Sequence, residues 1–263
     1  MPMAFITLLT DFGTADGFVG EVKGVLLTGA PDARLIDIGH DIPPGDIPAA
    51  SWALERIWER FPEGTIHYVV IDPGGGGARR GVVAEVGGRF YVGPDNGTLT
   101  RVLTHQPATR VRVLGAEPEP AGGRRSRTFH GRDVFAPAAA RLAAGVSPDE
   151  LGEALDPGQL VCFDLPKPVH HGDRVRGSVT HVDRFGNLVT DIPGRSLAPT
   201  ALIEVGGEAI SGVRSTYASV EPGQMLALIG STGTLEISLR DGSAAERLGV
   251  ERGHTVHVRP ERD

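Results

Sequence analysis

The sequence predicts an α/β protein, with an N-terminal α/β domain built on a mostly parallel sheet and a smaller C-terminal all-β barrel or sandwich. Three observations carry that expectation. Strand and helix signals alternate through the first half of the chain. The run Ile66-His67-Tyr68-Val69-Val70-Ile71 reads as a buried strand that ends at an acid and a glycine tract. From Gly172 onward, short alternating runs are separated by Gly, Pro, Asn and Asp turns.

Taken in order, Phe5-Ile6-Thr7-Leu8-Leu9 is the first strand and ends at Thr10-Asp11-Phe12-Gly13. Val19, Val22, Val25, Leu26 and Leu27 recur at helical spacing up to about Gly29. Arg34 to Ile38 forms a second strand, and Asp46 is placed to cap an amphipathic helix bearing Ala49, Trp52, Leu54, Ile57 and Trp58. The strand at 66–71 completes a β-α-β-α-β order, which implies helices on both faces of a parallel sheet. Gly87-Gly88 joins the runs 81–86 and 89–92 as a hairpin. Asp95-Asn96-Gly97 is a tight turn before a short helical segment, and the alanine-rich stretch Asp133 to Ala144 is a helix whose amino end lies beside His130. Pro157 to Pro168 is irregular and serves as a connection. The domains are therefore expected at 1–165 and 172–263. In the second, the strands are Val175–Val182, Leu188–Ile192, Ala201–Val205, Met225–Ile229, Leu235–Leu239 and Thr255–Val258.

Composition narrows the classes of function. A chain of 263 residues with 40% hydrophobic and 22% charged residues can bury a full core. A net charge of −7, with no basic stripe among few aromatics, argues against nucleic acid as a partner. No segment approaches the roughly 20 apolar residues of a membrane span. The amino terminus runs into an acid without a basic n-region, so the expectation is a first strand, no signal peptide and a cytoplasmic location. Cys162 stands alone, which leaves no internal disulfide and no multi-cysteine metal site; within Leu160-Val161-Cys162-Phe163 it is expected to be buried.

Asp11 and Asp72 each end a parallel strand. Each either caps the next helix or turn, or faces the crevice where open α/β sheets bind ligands. The tract Gly74–Gly77 lacks the Gly-Lys-Ser/Thr ending of a P-loop, so close backbone approach to a ligand is its better use. Arg79 is a candidate partner for the acid, whereas Arg80 reads as a solvated charge at a strand start. His130 lies in Thr128-Phe129-His130-Gly131-Arg132-Asp133, a setting unlike a plain core. The nine histidines include no HExxH and no HxH, so no metal is expected. Asp183-Arg184-Phe185-Gly186-Asn187 reads as a hairpin turn, and the Asn187 amide also offers a donor and an acceptor suited to a nucleobase edge.

Together these segments, with Pro94-Asp95-Asn96-Gly97 and Gly230-Ser231-Thr232-Gly233-Thr234-Leu235-Glu236-Ile237, resemble the S-adenosylmethionine (SAM) hydroxide adenosyltransferases, hydrolytic relatives of the fluorinases and chlorinases. The resemblance implies metal-free hydrolysis of SAM to adenosine and L-methionine, with SAM as substrate and no cofactor. It implies catalytic roles for Asp72, Arg79 and His130, and ribose recognition by Asp11. Asp16, Asp183, Ser231 and Thr232 map to the methionine end, Asn187 and Tyr217 to adenine, and Phe129 to the pocket wall. It further implies a homotrimer whose sites lie between the first domain of one subunit and the second domain of its neighbour. Relatives often carry valine and a hydroxyl residue where this chain has Gly75 and Gly77. Halogenating relatives lack the acid and arginine, carry serine in place of Gly131, and have an extra loop where this chain has Gly87-Gly88. The alternatives are halide-dependent transfer to the same carbon and non-catalytic binding of SAM or adenosine.

Overall fold

The computed structural model describes residues 3–115 and 126–260. The chain divides into two compact units, Met1–Phe163 and Asp164–Asp263.

The first unit is a sheet of seven strands among the described residues, in the order β2-β1-β3-β5-β4-β6-β7. Its strands are β1 (Phe5–Thr10), β2 (Arg34–Gly39), β3 (Ile66–Val70), β4 (Gly81–Val86), β5 (Arg89–Pro94), β6 (Arg110–Leu114) and β7 (Gly152–Ala154). Helices α1 (Phe18–Gly29), α2 (Ile47–Trp58), α3 (Thr100–Leu103) and α4 (Ala136–Ala143) pack on it. Alternation along the strands divides the apolar residues between two cores. Ile6, Leu8, Tyr68 and Val70 face α1 and α4, whereas Leu9, Val69 and Ile71 face α2. Burial on both faces is why β3 shows no alternation in its sequence.

The expectation of a mostly parallel sheet holds for only half of the pairings. β2, β1, β3 and β5 are mutually parallel. β4, β6 and β7 then add antiparallel pairings to β5 and to each other. The cause is local: Gly87 and Gly88 both adopt positive φ, 54° and 71°, which turns β4 straight back onto β5 and excludes a crossover helix. α2 begins as its sequence implies, with the Asp46 carboxylate accepting from Ala49 N at 3.0 Å. α4 is entered through a wide π-helical turn, Gly131–Phe135, that starts directly after His130.

Two expectations fail in this unit. Cys162 is exposed, because residues 161–168 form no strand. Arg80 is no solvated charge: its Nε donates to Asp95 Oδ2 at 2.9 Å and its Nη2 to Gln159 O at 2.6 Å.

The second unit is a strand-built, barrel-like module around one core that includes Val179, Leu188, Ile192, Ile203, Leu235, Ile237 and Val256. Its principal strands are Arg174–Val182, Leu188–Pro193, Ala201–Val205, Met225–Ile229, Thr234–Leu239 and Thr255–Pro260. Short strands at Val169–His171, Glu208–Ser211 and Val213–Arg214 and the helix Ala244–Leu248 complete it. No helix among the described residues is long and apolar enough to cross a membrane.

Candidate active site

The carboxyl end of β3 delivers Asp72 into a part-buried setting, and the glycine tract returns the chain so that Arg79 faces the same carboxylate. Arg79 Nε donates to Asp72 Oδ1 at 2.9 Å, and Nη2 makes a second, very short bond to Asp72 Oδ2. The same Nη2 lies 3.0 Å from His130 Nδ1. A guanidinium has no acceptor, so His130 Nδ1 must accept, and the proton of the neutral ring belongs on Nε2. The three residues expected to be catalytic therefore meet on one nitrogen. The Arg79 guanidinium also lies 5.1 Å from the centroid of the buried Phe135 ring, a cation–π contact that fixes its plane.

Two backbone turns bring the triad together. Gly75 N donates to Asp72 O and Gly77 N to Gly74 O, folding the tract into consecutive turns. Gly76 has φ 79°, and a Cβ there would come within 2.9 Å of Arg127 O, so the glycine tract presses on the segment leading to His130. On that segment Asp133, almost fully buried, accepts from Ser126 N at 2.7 Å and from Arg132 Nε at 2.7 Å. Arg132 also pairs with Glu21 of α1 at 2.7 Å, and these bonds raise its pKa further.

The remaining first-unit candidates lie around this centre to different degrees. Asp11 Oδ2 accepts from Gly45 N at 2.9 Å, and Gly45 packs against Pro73, beside Asp72. Phe129 makes edge-on contacts with Phe12 and Phe18, at centroid distances of 5.6 and 5.4 Å. Asp16 is exposed in the loop before α1. Sequence reasoning misses Gly45 and Phe135 around this centre. An apolar context makes Phe135 look like core, and nothing local marks Gly45.

In the second unit, Asp183 and Asn187 close a hairpin turn. Asp183 Oδ1 accepts from Phe185 N and Asn187 N, both at 2.9 Å, and Asn187 Nδ2 donates to Asp183 Oδ2 at 3.0 Å. The turn holds Asn187 buried and leaves Phe185 74% exposed. Tyr217 Oη donates to Glu236 Oε1 at 2.5 Å, and Ser238 Oγ donates to the same oxygen at 3.2 Å. Burial, the Glu236 bond and the charges of Glu236 and Asp183 push the Tyr217 phenol up to about 12. Strand register pairs Val189 with Glu236, so Asn187 and the Glu236–Tyr217 pair belong to one polar patch. Thr232 Oγ1 lies 3.0 Å from Thr234 Oγ1, and Ser231 lies beside Thr232 in the turn before the strand that carries Glu236. In the sequence Glu236 is one member of a motif, and nothing near it there signals its burial. Among the described residues no three His, Cys, Asp or Glu side chains gather as a metal site requires.

Comparison with known proteins agrees in both halves of the chain. A family model described as the SAM hydroxide adenosyltransferase N-terminal domain matches residues 6–152, and the corresponding C-terminal domain model matches residues 177–257. A protein of Thermus thermophilus named (R)-S-adenosyl-L-methionine hydrolase is 40% identical, covering 96% of this chain and 98% of the relative. A protein of Salinispora tropica with the same name is 37% identical over 98% of both chains. A fluorinase of an Actinoplanes species is 30% identical over 71% of each. Among solved structures, a conserved protein from Thermotoga maritima superposes with a TM-score of 0.89 at 33% identity, covering 97% of this chain and 99% of the other. This chain belongs to the SAM hydroxide adenosyltransferase family.

Proposed function

We propose that this enzyme hydrolyses S-adenosyl-L-methionine to adenosine and L-methionine, with Asp72, Arg79 and His130 generating the nucleophile without a metal. The observation that carries the mechanism is the single Arg79 nitrogen bonded to both Asp72 and His130 Nδ1. In the reaction a C5′–O bond forms as the C5′–S bond breaks, and the electron pair of the latter neutralises the sulfonium to a thioether. One proton of water must leave. His130 Nδ1 can take it if Arg79 Nη2 transfers its hydrogen bond from that nitrogen to the hydroxide being formed. Asp72 holds the guanidinium by its other contacts throughout, so the cation is positioned before charge develops.

Hydrolysis rather than halide transfer is also favoured at Gly131. A Cβ there would meet Phe12 Cζ at 2.9 Å and Tyr68 Oη at 3.0 Å, so the serine of halogenating relatives has no room without movement. The names of the hydrolase relatives specify an R centre; since L already fixes the methionine carbon, R describes the sulfonium sulfur. We extend that preference to this chain. The substrate contacts in the proposal are Asp11, Asp16 and Phe129 from one subunit, with Asp183, Asn187, Tyr217, Ser231 and Thr232 from its neighbour in a homotrimer. The hairpin that presents Asn187 and the polar patch around Glu236 support the adenine assignment. A cytoplasmic location belongs to the same reading.

Purified protein incubated with resolved sulfonium diastereomers is expected to consume the R form and yield adenosine and methionine, with the rate unchanged by EDTA. Loss of turnover in EDTA with rescue by a divalent ion would overturn the metal-free mechanism. Formation of 5′-haloadenosine in chloride or fluoride would overturn water as the nucleophile, and binding without products would reassign the chain as a sensor.

A further inference from the structure

Pro94-Asp95-Asn96-Gly97 is remote from Asp72 in the sequence, yet the fold ties it to both ends of the glycine tract. Strand β5 lies between β3 and β4 in the sheet, and β4 runs antiparallel to it. The chain from Ile71 to Arg80 therefore passes over the carboxyl end of β5, where this motif begins. Asn96 holds the β3 side: its Nδ2 donates at 2.8 Å to Ile71 O, the carbonyl directly before Asp72. Thr98 fixes the amide in that orientation, because its backbone N and its Oγ1 both donate to Asn96 Oδ1, at 3.3 and 2.7 Å. Asp95 holds the β4 side. Its backbone N donates to Arg80 O at 2.9 Å, and its Oδ2 accepts from Arg80 Nε at 2.9 Å and from Nη2 at 2.6 Å. Its Oδ1 accepts from Val161 N at 2.8 Å, so both oxygens of this buried carboxylate are matched by donors.

We propose that Asp95 and Asn96 are positioning residues that together fix the separation of Asp72 and Arg79. This rests on the hydrolase reading given above. Four glycines offer no side chain that could hold the tract from within, and their backbone has more freedom to lose than that of any other residue. The bonds from Gly75 N to Asp72 O and from Gly77 N to Gly74 O shape the tract without tying it to the sheet. Its anchors are the residues at its two ends, Ile71 and Arg80, and one turn holds both. Asp72 and Arg79 each stand one residue inside an anchor. A shift of either anchor therefore passes to the carboxylate–guanidinium pair and to the His130 contact. Asp95 and Asn96 act through that pair and not on the substrate.

Asn96→Asp deletes the donor to Ile71 O and keeps the acceptor for Thr98. Asp95→Asn keeps the shape but turns one acceptor into a donor that faces Arg80 or Val161 N. In the full-length enzyme each is expected to lower kcat on the order of 10²-fold, the scale for a displaced catalytic group, with KM for SAM within about threefold of wild type. The Asp72→Ala background separates positioning from general damage. Added to it, either substitution should lower kcat by no more than about threefold further, because the pair is already broken. A further loss of about 10²-fold in that background would reject the role, since independent damage is additive. Unchanged kcat in the folded single variants would also reject it, whether or not KM rises. The Arg79 Nε–H resonance, identified by its loss in Arg79→Lys, gives a readout that needs no turnover. It should exchange slowly with water in the wild type and faster in both variants, and equal exchange in all three would reject the role. If Asp95→Asn does not fold, Asn96→Asp, at the less buried position, carries the test. If the wild-type enzyme releases no adenosine, the hydrolase reading fails, and the Arg79 resonance still decides whether Asp95 and Asn96 hold the pair.

Discussion

Asp72 and Arg79 form a pair with side chains only 10% and 14% exposed, and His130 completes it through the guanidinium. Removing one member strands the others, so single substitutions should be severe. Asp72→Ala or His130→Ala is expected to lower kcat by on the order of 10²- to 10⁴-fold with a smaller change in KM, as steady-state kinetics would show. A different histidine is expected to make stability depend on pH. His67 is fully buried, lies against the Trp58 ring with centroids 4.5 Å apart, and meets Thr7 Oγ1 at 2.8 Å. Burial, then the charge of Arg89, lowers its pKa from 6.5 to about 3. The unfolded chain therefore binds a proton that the folded protein refuses between those values. Its contribution is present above pH 6.5 and is lost as pH falls toward 3, at up to about 1.4 kcal/mol per pH unit. Urea unfolding between pH 7 and pH 4 should show a shallower slope for His67→Phe than for the wild type; equal slopes would assign the acid sensitivity to the carboxylates instead.

Among the elements, the turn-forming tract between β3 and β4 matters most to the site. Only Gly76 of its four glycines has positive φ, and its approach to Arg127 O leaves no space for a side chain. Gly76→Ala should therefore cost roughly 1 kcal/mol or more of local strain and displace Arg79 from His130. The expected result is a clear loss of kcat with a small change in thermal midpoint. Gly75 has no positive φ, but a Cβ there would meet Asp72 O at 3.3 Å, so a side chain would crowd Asp72 without straining the backbone. The π-helical turn before α4 acts in the same way on the other wall. It inserts Asp133 beneath the 126–130 segment, where that carboxylate secures Ser126 N and Arg132.

At the scale of the whole molecule, the proposed homotrimer makes each site a joint product of two subunits. Mixing Asp72→Ala protein with Asn187→Ala protein, under conditions that exchange subunits, should regenerate some sites with neither lesion. Recovered activity well above either parent is the expected outcome. No recovery after verified exchange of two inactive parents would mean that each subunit builds its site alone. Asn187→Ala by itself should weaken SAM binding by roughly 1–3 kcal/mol, the range for a buried polar partner left unpaired, and calorimetry would measure it.

What the sequence determined by itself was whatever local chemistry dictates. The β-α-β-α-β order, the Asp46 cap, the Gly87-Gly88 hairpin and the main strands of the second unit all arise from periodicity, capping and turn residues within a few positions of each other. The meeting of Asp72 with Arg79 was also legible, because only seven residues and a glycine tract separate them. What only the tertiary structure decided depends on residues distant in the chain. Arg80 reads as solvated until Asp95 and Gln159 reach it in the fold. Cys162 reads as buried because its neighbours are apolar, yet no strand forms there to cover it. β6 alternates Arg and Val too briefly to stand out, and pairing with β4 is what makes it a strand. Tyr68 reads as core from its strand. Only the fold, by packing Gly131 against its hydroxyl, shows a buried donor without a partner among the described residues.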